Sequence, residues 1–538
     1  MNIKPLFNKD ENITLNEYLH RCGVDSPEEY INPKANVIEP VSHYDSIDKA
    51  VLLLRDAIVD DKEIVIICDS DCDGYCSSAI AYQFLIDQGV PNEAIRVLFH
   101  ESKQHGLSKD IITQLNEICL DNVCLVWIPD AGTNDVEQCA YLNQRGIPVL
   151  ITDHHMAEGE NKWATIVNNQ TSNNVANKAL CGTGVTHKVI TEYCKRNNST
   201  FHQKVLDLVA LASIGDVVDV RSLENRIIIK WGLEHITNSF LRALCDEFIS
   251  NGDITPTSLA WNIVPKFNAI CRGTNQELKD DMFSALVGKN IDFTKVISDI
   301  KTEYRQQKKI VDDFYNKALE IKPIGDKVKI FEFENTPYTG LIATKLADHF
   351  ASPCMVVHRH NNGTFNGSLR SPYDLKTKLS ESGLMTLCQG HECACGVGWI
   401  VDDTDKLSTY CSQLDLQPSA NAVVLTTETA LLSNDLFTLY DEGKGLWGQG
   451  IPEPTIHFSD ITISGKDIKE LGANKTTIKF LYGDIEFIKF FCSKELKTLT
   501  RVGQSGIIHI EVIGKPTINE FRGNKTKQII IDKIEVKS

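Results

Sequence analysis

The sequence has no apolar run approaching the ~20 residues that a membrane-spanning helix requires, so an integral membrane role is not expected. Its first residues, Met1-Asn2-Ile3-Lys4-Pro5-Leu6, lack the basic region and apolar core of a secretory signal, and a cytoplasmic location is the expectation. A regular cysteine framework is missing as well. The 17 cysteines are odd in number and scattered, which suits reduced thiols better than disulfides. The tightest group, Cys388, Cys393 and Cys395 near His391, has no second pair at finger spacing, so a structural zinc fits poorly. There are no internal repeats and no low-complexity tracts. Nor is there an overall positive charge. The formal net charge of -17 argues against indiscriminate binding to nucleic acid. From Lys475 to Ser538, however, 12 Lys/Arg face 7 Asp/Glu. A basic module on an acidic body allows nucleic-acid contact through one surface, although a merely mixed surface would give the same count.

At 538 residues, with 42% hydrophobic content, the chain is long enough for three or four domains of ~150 residues. Residues 1–45 read as an adaptor segment. Ser46 is placed to N-cap an amphipathic helix running to about Asp60, with Ile47, Ala50, Val51 and Leu54 on its buried side. Strands at 63–68, 95–99, 123–128 and 147–151 alternate with helical patterns at 76–88, 108–118 and 135–144. This is the rhythm of a doubly wound, parallel-sheet α/β domain over 46–235. Between 236 and 323 strands vanish, and apolar residues from Ile297 to Ile321 recur at helical spacing, as in a long connecting helix. A smaller α/β domain is expected over 324–418, with strands at 328–333, 354–358 and 365–369 and a helix at 340–350. The remainder, 419–538, carries short strands at 476–482, 486–491, 506–513 and 528–534, punctuated by Gly483, Gly503, Gly506, Gly514 and Gly523. An OB-like β-barrel is the expectation there.

Three of the apolar runs end in groups that bind cations. Glu63 to Cys68 empties into Asp69-Ser70-Asp71-Cys72-Asp73-Gly74, Val123 to Ile128 into Asp130-Ala131-Gly132, and Ile147 to Thr152 into Asp153-His154-His155. In a parallel sheet the C-terminal strand ends share one edge, so these groups would converge. Clustered carboxylates with one or two histidines make a hard site suited to Mn or Mg. Asp69, Asp71 and Asp73 would repel one another unless a cation neutralises them, and Gly74 permits a tight turn into the next helix. A helix cap or a calcium loop would use the same pattern. Ile80, however, stands where an EF-hand needs its bidentate Glu, and the preceding segment reads as a strand. The apolar run Leu206 to Val220 is interrupted by Asp207, Asp216 and Asp219, carboxylates that are costly there unless paired or metal-bound, and Asp216 is the candidate final ligand.

Together with Ile214-Gly215-Asp216-Val217-Val218, the three strand-end segments resemble, in order, motifs I to IV of the DHH phosphoesterases. Within them the chain is similar to the RecJ-type single-strand-specific exonucleases. Gln104-His105-Gly106-Leu107-Ser108, Leu180-Cys181-Gly182-Thr183-Gly184-Val185 and Val264-Pro265-Lys266-Phe267-Asn268-Ala269 resemble RecJ segments. Thr339-Gly340-Leu341, Gly367-Ser368-Leu369-Arg370-Ser371 and Gln389-Gly390-His391 resemble the DHH-associated domain, and Pro516 to Lys525 resembles the RecJ OB module. Departures from the family pattern include Gln389 and Lys266, where a Gly and an Arg are usual.

The resemblance implies a two-metal site, Mn2+ or Mg2+, with Asp69, Asp71, Asp73, Asp130, His154 and Asp216 as ligands. Asp73, Asp130, His154 and His155 would be the catalytic group, with His155 polarising the phosphate. Ser368, Arg370 and Ser371 would hold a terminal 5′ phosphate, Asn268, Arg272 and His391 would contact the scissile region, and His105 would join the substrate contacts. The implied activity is 5′-to-3′ hydrolysis of single-stranded nucleic acid, DNA before RNA, in repair or recombination. A single-strand-binding protein or a helicase is the kind of partner this implies, and no membrane. Two alternatives stand beside it: a DHH phosphodiesterase for short oligonucleotides or RNA, and an inactive replication scaffold, which would have broken ligands.

Overall fold

The computed structural model describes residues 5–7, 13–249, 253–416, 423–427, 434–472, 475, 477–490, 506–521 and 524–537. It divides into two units, residues 1–300 with 422–538, and residues 301–421.

The first unit is built on five parallel strands: β1 (Glu63–Cys68), β2 (Ile95–Phe99), β3 (Val123–Pro129), β4 (Val149–Asp153) and β5 (Thr165–Asn168). Their order is β2-β1-β3-β4-β5, so the winding direction reverses between β1 and β3. At such a switch point the loops leaving the strands part and open a crevice. β1 is almost wholly buried because both of its faces are covered. Ile64, Ile66 and Cys68 meet the helices Ile47–Ile58, Cys72–Asp87 and Gly182–Arg196, whereas Val65 and Ile67 meet Lys109–Glu117 and Val136–Asn143. The Ile47–Ile58 helix buries the expected residues, but Ser46 does not cap it through its side chain. Ser46 has φ 63°, and a capping hydroxyl reaches the first-turn amides from an extended backbone.

Helices follow from Leu206 to Leu286, and the Phe293–Ala318 helix runs 26 residues. Val296, Ile297 and Ile300, in its first part, lie in the core of the first unit. The first unit also holds a seven-stranded sheet ordered β11-β12-β16-β17-β15-β14-β13: β11 (Val423–Thr427), β12 (Thr455–Ser464), β13 (Lys469–Leu471), β14 (Thr477–Tyr482), β15 (Ile485–Lys489), β16 (Ile507–Phe521) and β17 (Asn524–Lys537). Gly514 does not break a strand as expected. It sits inside β16 at a register shift, where an added Cβ would lie 2.5 Å from Ile529 Cγ2. Gly503 and Gly523 lie outside the described residues.

The 444–452 loop ties this sheet to the beginning of the chain. Tyr18 donates to Pro452 O (2.7 Å) and meets Trp447 edge-on at 5.7 Å, and Tyr30 donates to Leu446 O (3.2 Å). Arg226 reaches Gly445 O (3.0 Å) and Val220 N–H reaches Gln449 O (2.9 Å).

The second unit contains the sheet β6-β7-β8-β10-β9: β6 (Lys329–Glu332), β7 (Cys354–Arg359), β8 (Thr364–Arg370), β9 (Met385–His391) and β10 (Ala394–Ile400). Only β6 and β7 run parallel. The β9–β10 hairpin is absent from the sequence expectation, and Gly390, Gly396 and Gly398 weaken its strand pattern. Cys388 and Cys395 sit in that hairpin, and no thiol joins a metal-competent cluster among the described residues.

Close helix contact anchors the start of the helix that ends at Asp216. The helices Leu206–Gly215 and Leu223–Glu234 cross at Gly232, where a Cβ would lie 2.4 Å from Leu206 O and 2.5 Å from Ala210 Cβ. Gly232→Ala should therefore lower unfolding stability by about 2 kcal/mol or more. Denaturant unfolding checks this, and an unchanged midpoint would mean that the helices separate freely.

Candidate metal centre

Three ligand segments leave the C-terminal edge of the parallel sheet, and Asp216 follows a helix. After β1, Asp69 is buried; its Oδ2 takes His105 Nδ1 at 2.7 Å and its Oδ1 takes Gly106 N–H at 3.3 Å. Asp71 is the N-cap of the Cys72–Asp87 helix, its Oδ1 accepting from Asp73 N–H (3.1 Å) and Gly74 N–H (3.2 Å). Its Oδ2 lies 3.4 Å from Arg272 Nη2. Burial opposes the charge on Asp71, but Arg272 and His105 outweigh it and hold the pKa below the ordinary value. Gly74 makes no turn. It lies within the helix, and a Cβ there would sit 2.5 Å from Asp69 Cβ and 2.6 Å from Asp69 O.

Asp73 is held by the start of the Gly182–Arg196 helix. Gly182 N–H and Thr183 N–H each donate to it at 2.8 Å, and Thr183 Oγ1 adds a bond of 2.5 Å. Unpaired amides and the helix dipole favour an anion at that end. The same helix start crowds Asp130, because a Cβ on Gly182 would lie 2.1 Å from Asp130 Oδ1. Asp130 has φ 73°, its N–H bonds Thr152 O at 2.7 Å, and its buried Oδ1 has no hydrogen-bond partner among the described residues.

His154 sits among carboxylates: Nε2 is 3.3 Å from Asp130 and 3.9 Å from Asp73, and Nδ1 is 3.6 Å from Asp216. Asp153 faces the other way. Its Oδ1 accepts from the N–H groups of His154 (2.7 Å) and His155 (3.1 Å) and lies 2.8 Å from His155 Nδ1, while Oδ2 accepts from Thr133 N–H and Oγ1. Burial would discharge His155, but the hydrogen bond and charge of Asp153 outweigh it and push the pKa up to about 9. Burial pushes Asp130 and Asp216 well above the ordinary carboxylate range, and the Asp73 and Asp71 charges add to it.

Among the described residues, three donor groups have ligand atoms within 4.8 Å of one another: Asp130, Asp153, His154 and His155; Asp73, His154 and Asp216; and Asp69, Asp71 and Asp130. Oxygen-rich donors, one imidazole and an unpartnered buried carboxylate oxygen fit a hard divalent cation. Two other expected residues reach the same edge from the Val264–Cys271 helix and its end. Asn268 Oδ1 accepts Cys72 N–H at 3.0 Å, and Arg272 Nε donates to Ser70 O at 3.3 Å.

The remaining expected residues belong to the second unit. Ser368 Oγ is 2.8 Å from Thr339 Oγ1, at the first residue of the Thr339–Phe350 helix, and a Cβ on Gly340 would lie 2.8 Å from Arg370 Nη2. Arg370 Nη1 donates to Leu369 O at 2.7 Å. The Ser371 hydroxyl is taken up locally, donating to Tyr373 O and accepting Tyr373 N–H. The side chain of His391 lies outside the described residues.

Sequence reasoning missed four supporting groups. Asp153 and Thr183 lay inside quoted motifs but were given no role. His100, buried with Nε2 3.6 Å from Asp69 Oδ1, and Lys279, whose Nζ donates to His100 O (2.6 Å) and Glu101 O (3.1 Å), carry no motif signal.

Residues 63–213 match the DHH family, N-terminal domain, and residues 433–533 match the RecJ OB domain. The chain is 30% identical, over 96% of its length and 95% of the relative's, to YorK of Bacillus subtilis (strain 168), provisionally named an SPbeta prophage-derived single-strand DNA-specific exonuclease. It is 24% identical, over 92% of its length and 91% of the relative's, to the single-stranded-DNA-specific exonuclease RecJ of Escherichia coli (strain K12). Among solved structures, RecJ from Thermus thermophilus in complex with Mn2+ aligns with a TM-score of 0.76 at 17% identity, covering 97% of this chain and 76% of that one. At that identity the likeness speaks to the fold. No helix among the described residues is long and apolar enough to cross a membrane.

Because burial and like charge raise Asp130 and Asp216, the metal-free protein holds protons there above the ordinary carboxylate range. A divalent cation displaces them, so adding Mn2+ in weak buffer should release protons. The stability tied to these protonated acids is full below the ordinary carboxylate pKa and is lost as pH rises through the raised values. Mn2+ should therefore raise thermal stability more at about pH 8 than at about pH 5. A proton-neutral titration would overturn the crowded-carboxylate reading.

Proposed function

The chain belongs to the RecJ family of exonucleases within the DHH family, and from that premise we propose that it hydrolyses single-stranded DNA from the 5′ end, releasing 5′ mononucleotides. The observation that carries this reading is the buried Asp130 Oδ1, which accepts no hydrogen bond among the described residues and lies between His154 and the carboxylates that surround it. DNA as the polymer follows from the substrate in the names of the YorK and RecJ relatives.

Two ions, Mn2+ or Mg2+, held by Asp69, Asp71, Asp73, Asp130, His154 and Asp216, would supply an activated water and neutralise charge at the phosphate. The chain's own residues do the rest. Asp153 engages His155 Nδ1 and keeps the ring protonated at neutral pH, so Nε2–H serves as the donor to a non-bridging phosphate oxygen. Asn268 and Arg272 brace the loop from Ser70 to Cys72 and so hold the aspartates in register. Ser368, Arg370 and the start of the Thr339–Phe350 helix form the seat for a terminal 5′ phosphate, combining a guanidinium fork with free backbone amides. Ser371 steadies the turn beyond them. A single-strand-binding protein or a helicase would be the partner that presents such a strand.

Strands labelled at either end, in DNA and in RNA, distinguish the polymer and the polarity. The expected products are mononucleotides from the 5′ end of DNA, and release from the 3′ end would sink the polarity. Asp130→Ala should lower hydrolysis by about three orders of magnitude or more while single-strand binding stays measurable. Retained turnover would remove Asp130 from the site. Arg370→Ala should weaken the preference for 5′-phosphorylated over 5′-hydroxyl ends by roughly tenfold or more, the value of a charge-assisted hydrogen bond. An unchanged preference would place the seat elsewhere.

A further inference from the structure

Trp261 is 72% exposed, whereas Trp127, Trp399 and Trp447 are among the most deeply buried side chains. A solitary exposed apolar residue needs no explanation. The position of this one does. The helices Pro256–Asn262 and Val264–Cys271 meet at Ile263, whose own backbone is right-handed helical, so residues 261, 264, 268 and 272 follow one stripe. Two inner members of that stripe bond the loop from Ser70 to Cys72, and the third lies beside Gly215. Val264 Cγ1 lies 3.8 Å from where a Cβ on Gly215 would stand, Asn268 accepts from Cys72 N–H, and Arg272 donates to Ser70 O. Trp261 is the outer end of the same stripe, one turn before Val264, which packs at Gly215 in the helix that ends at Asp216.

Val217, the residue after Asp216, is also presented outward. The Leu206–Gly215 helix closes with Val218 N–H on Ser213 O (3.1 Å) and Val217 N–H on Ile214 O (3.2 Å), a terminus that usually places glycine at the left-handed position. Here that position holds Val217, with φ 55° and 60% exposure. A β-branched residue is disfavoured in this conformation, and such strain persists chiefly at functional sites.

We propose that Trp261 and Val217 form an apolar ledge against which the bases of a single strand stack as its end enters the metal centre. The inference rests on the proposed function and adds a contact to it. The carboxylate centre engages phosphate, whereas the ledge offers an indole and a branched aliphatic face, and every base has a π-face to lay against them. The contact is therefore indifferent to sequence and available only to unpaired bases.

The test uses the full chain and a 5′-phosphorylated oligo-dT, with Ca2+ in place of Mn2+ for binding and Mn2+ for turnover. The strand should quench tryptophan fluorescence in the wild type, and Trp261→Phe should lose most of that quenching. Trp261→Leu should raise KM for oligo-dT by about tenfold with a smaller effect on kcat, and Trp261→Phe should restore KM to within about threefold. Val217→Gly should raise KM while leaving thermal stability equal or higher, because glycine fits the left-handed backbone. A purely structural role for Val217 would move stability without KM. If the wild type degrades the strand but Trp261→Leu keeps both its quenching and its KM, the ledge is overturned and the proposed function stands. If the wild type neither binds nor degrades the strand, the proposed function fails, and the ledge with it.

Discussion

Carboxylates of like charge gathered at one sheet edge are the constraint around which the first unit is organised. Asp69, Asp73 and Asp130 are buried, and Asp216 closes the group at a helix end. Removing several carboxylates from water is costly unless each finds hydrogen bonds, opposite charge or a cation. The chain meets part of that cost itself: His105 and Gly106 serve Asp69, the start of the Gly182–Arg196 helix serves Asp73, and Arg272 serves Asp71. Among the described residues Asp130 Oδ1 accepts no hydrogen bond, and His154 Nε2 lies 3.3 Å from it. The proposed metal ions complete what the protein leaves unfinished.

Two glycines show how tightly that edge is drawn. Gly74 lets the first turn of its helix lie on the Asp69 backbone, and Gly182 lets a second helix start within reach of Asp130. Neither has positive φ, so both are required for close approach and not for chain reversal. Asp153 divides its two oxygens between the His154–His155 backbone and Thr133, which fixes the histidine pair at the strand end. His154 can then turn toward the carboxylates while His155 keeps its charge.

The first unit gathers residues remote in sequence. Tyr18 and Tyr30, from the opening segment, reach carbonyls of the 444–452 loop, and Val220 pairs with Gln449 close to the Asp216 turn. The opening segment, which reads in the sequence as a mere adaptor, thus supplies buried side chains that join the two ends of the chain.

The sequence by itself determined the parallel sheet and the placement of the ligand groups at its strand ends. Strands buried on both faces are near-continuous apolar runs, and the motifs that follow them are local: Asp69 to Gly74, Asp130 to Gly132 and Asp153 to His155. It also marked Asp216, with Asp207 and Asp219, because carboxylates interrupting an apolar run stand out. Other features were illegible for physical reasons. Glycine-rich β9 and β10 carry little strand pattern of their own and are paired by neighbouring strands, and Gly514 read as punctuation between strands until β17 crossed it. Only the tertiary structure decided which atoms of each ligand are already engaged. Lys279 under His100, Thr183 on Asp73 and Val264 beside Gly215 are contacts between residues far apart in the chain. Their geometry depends on how helices cross the sheet edge, which no local pattern encodes.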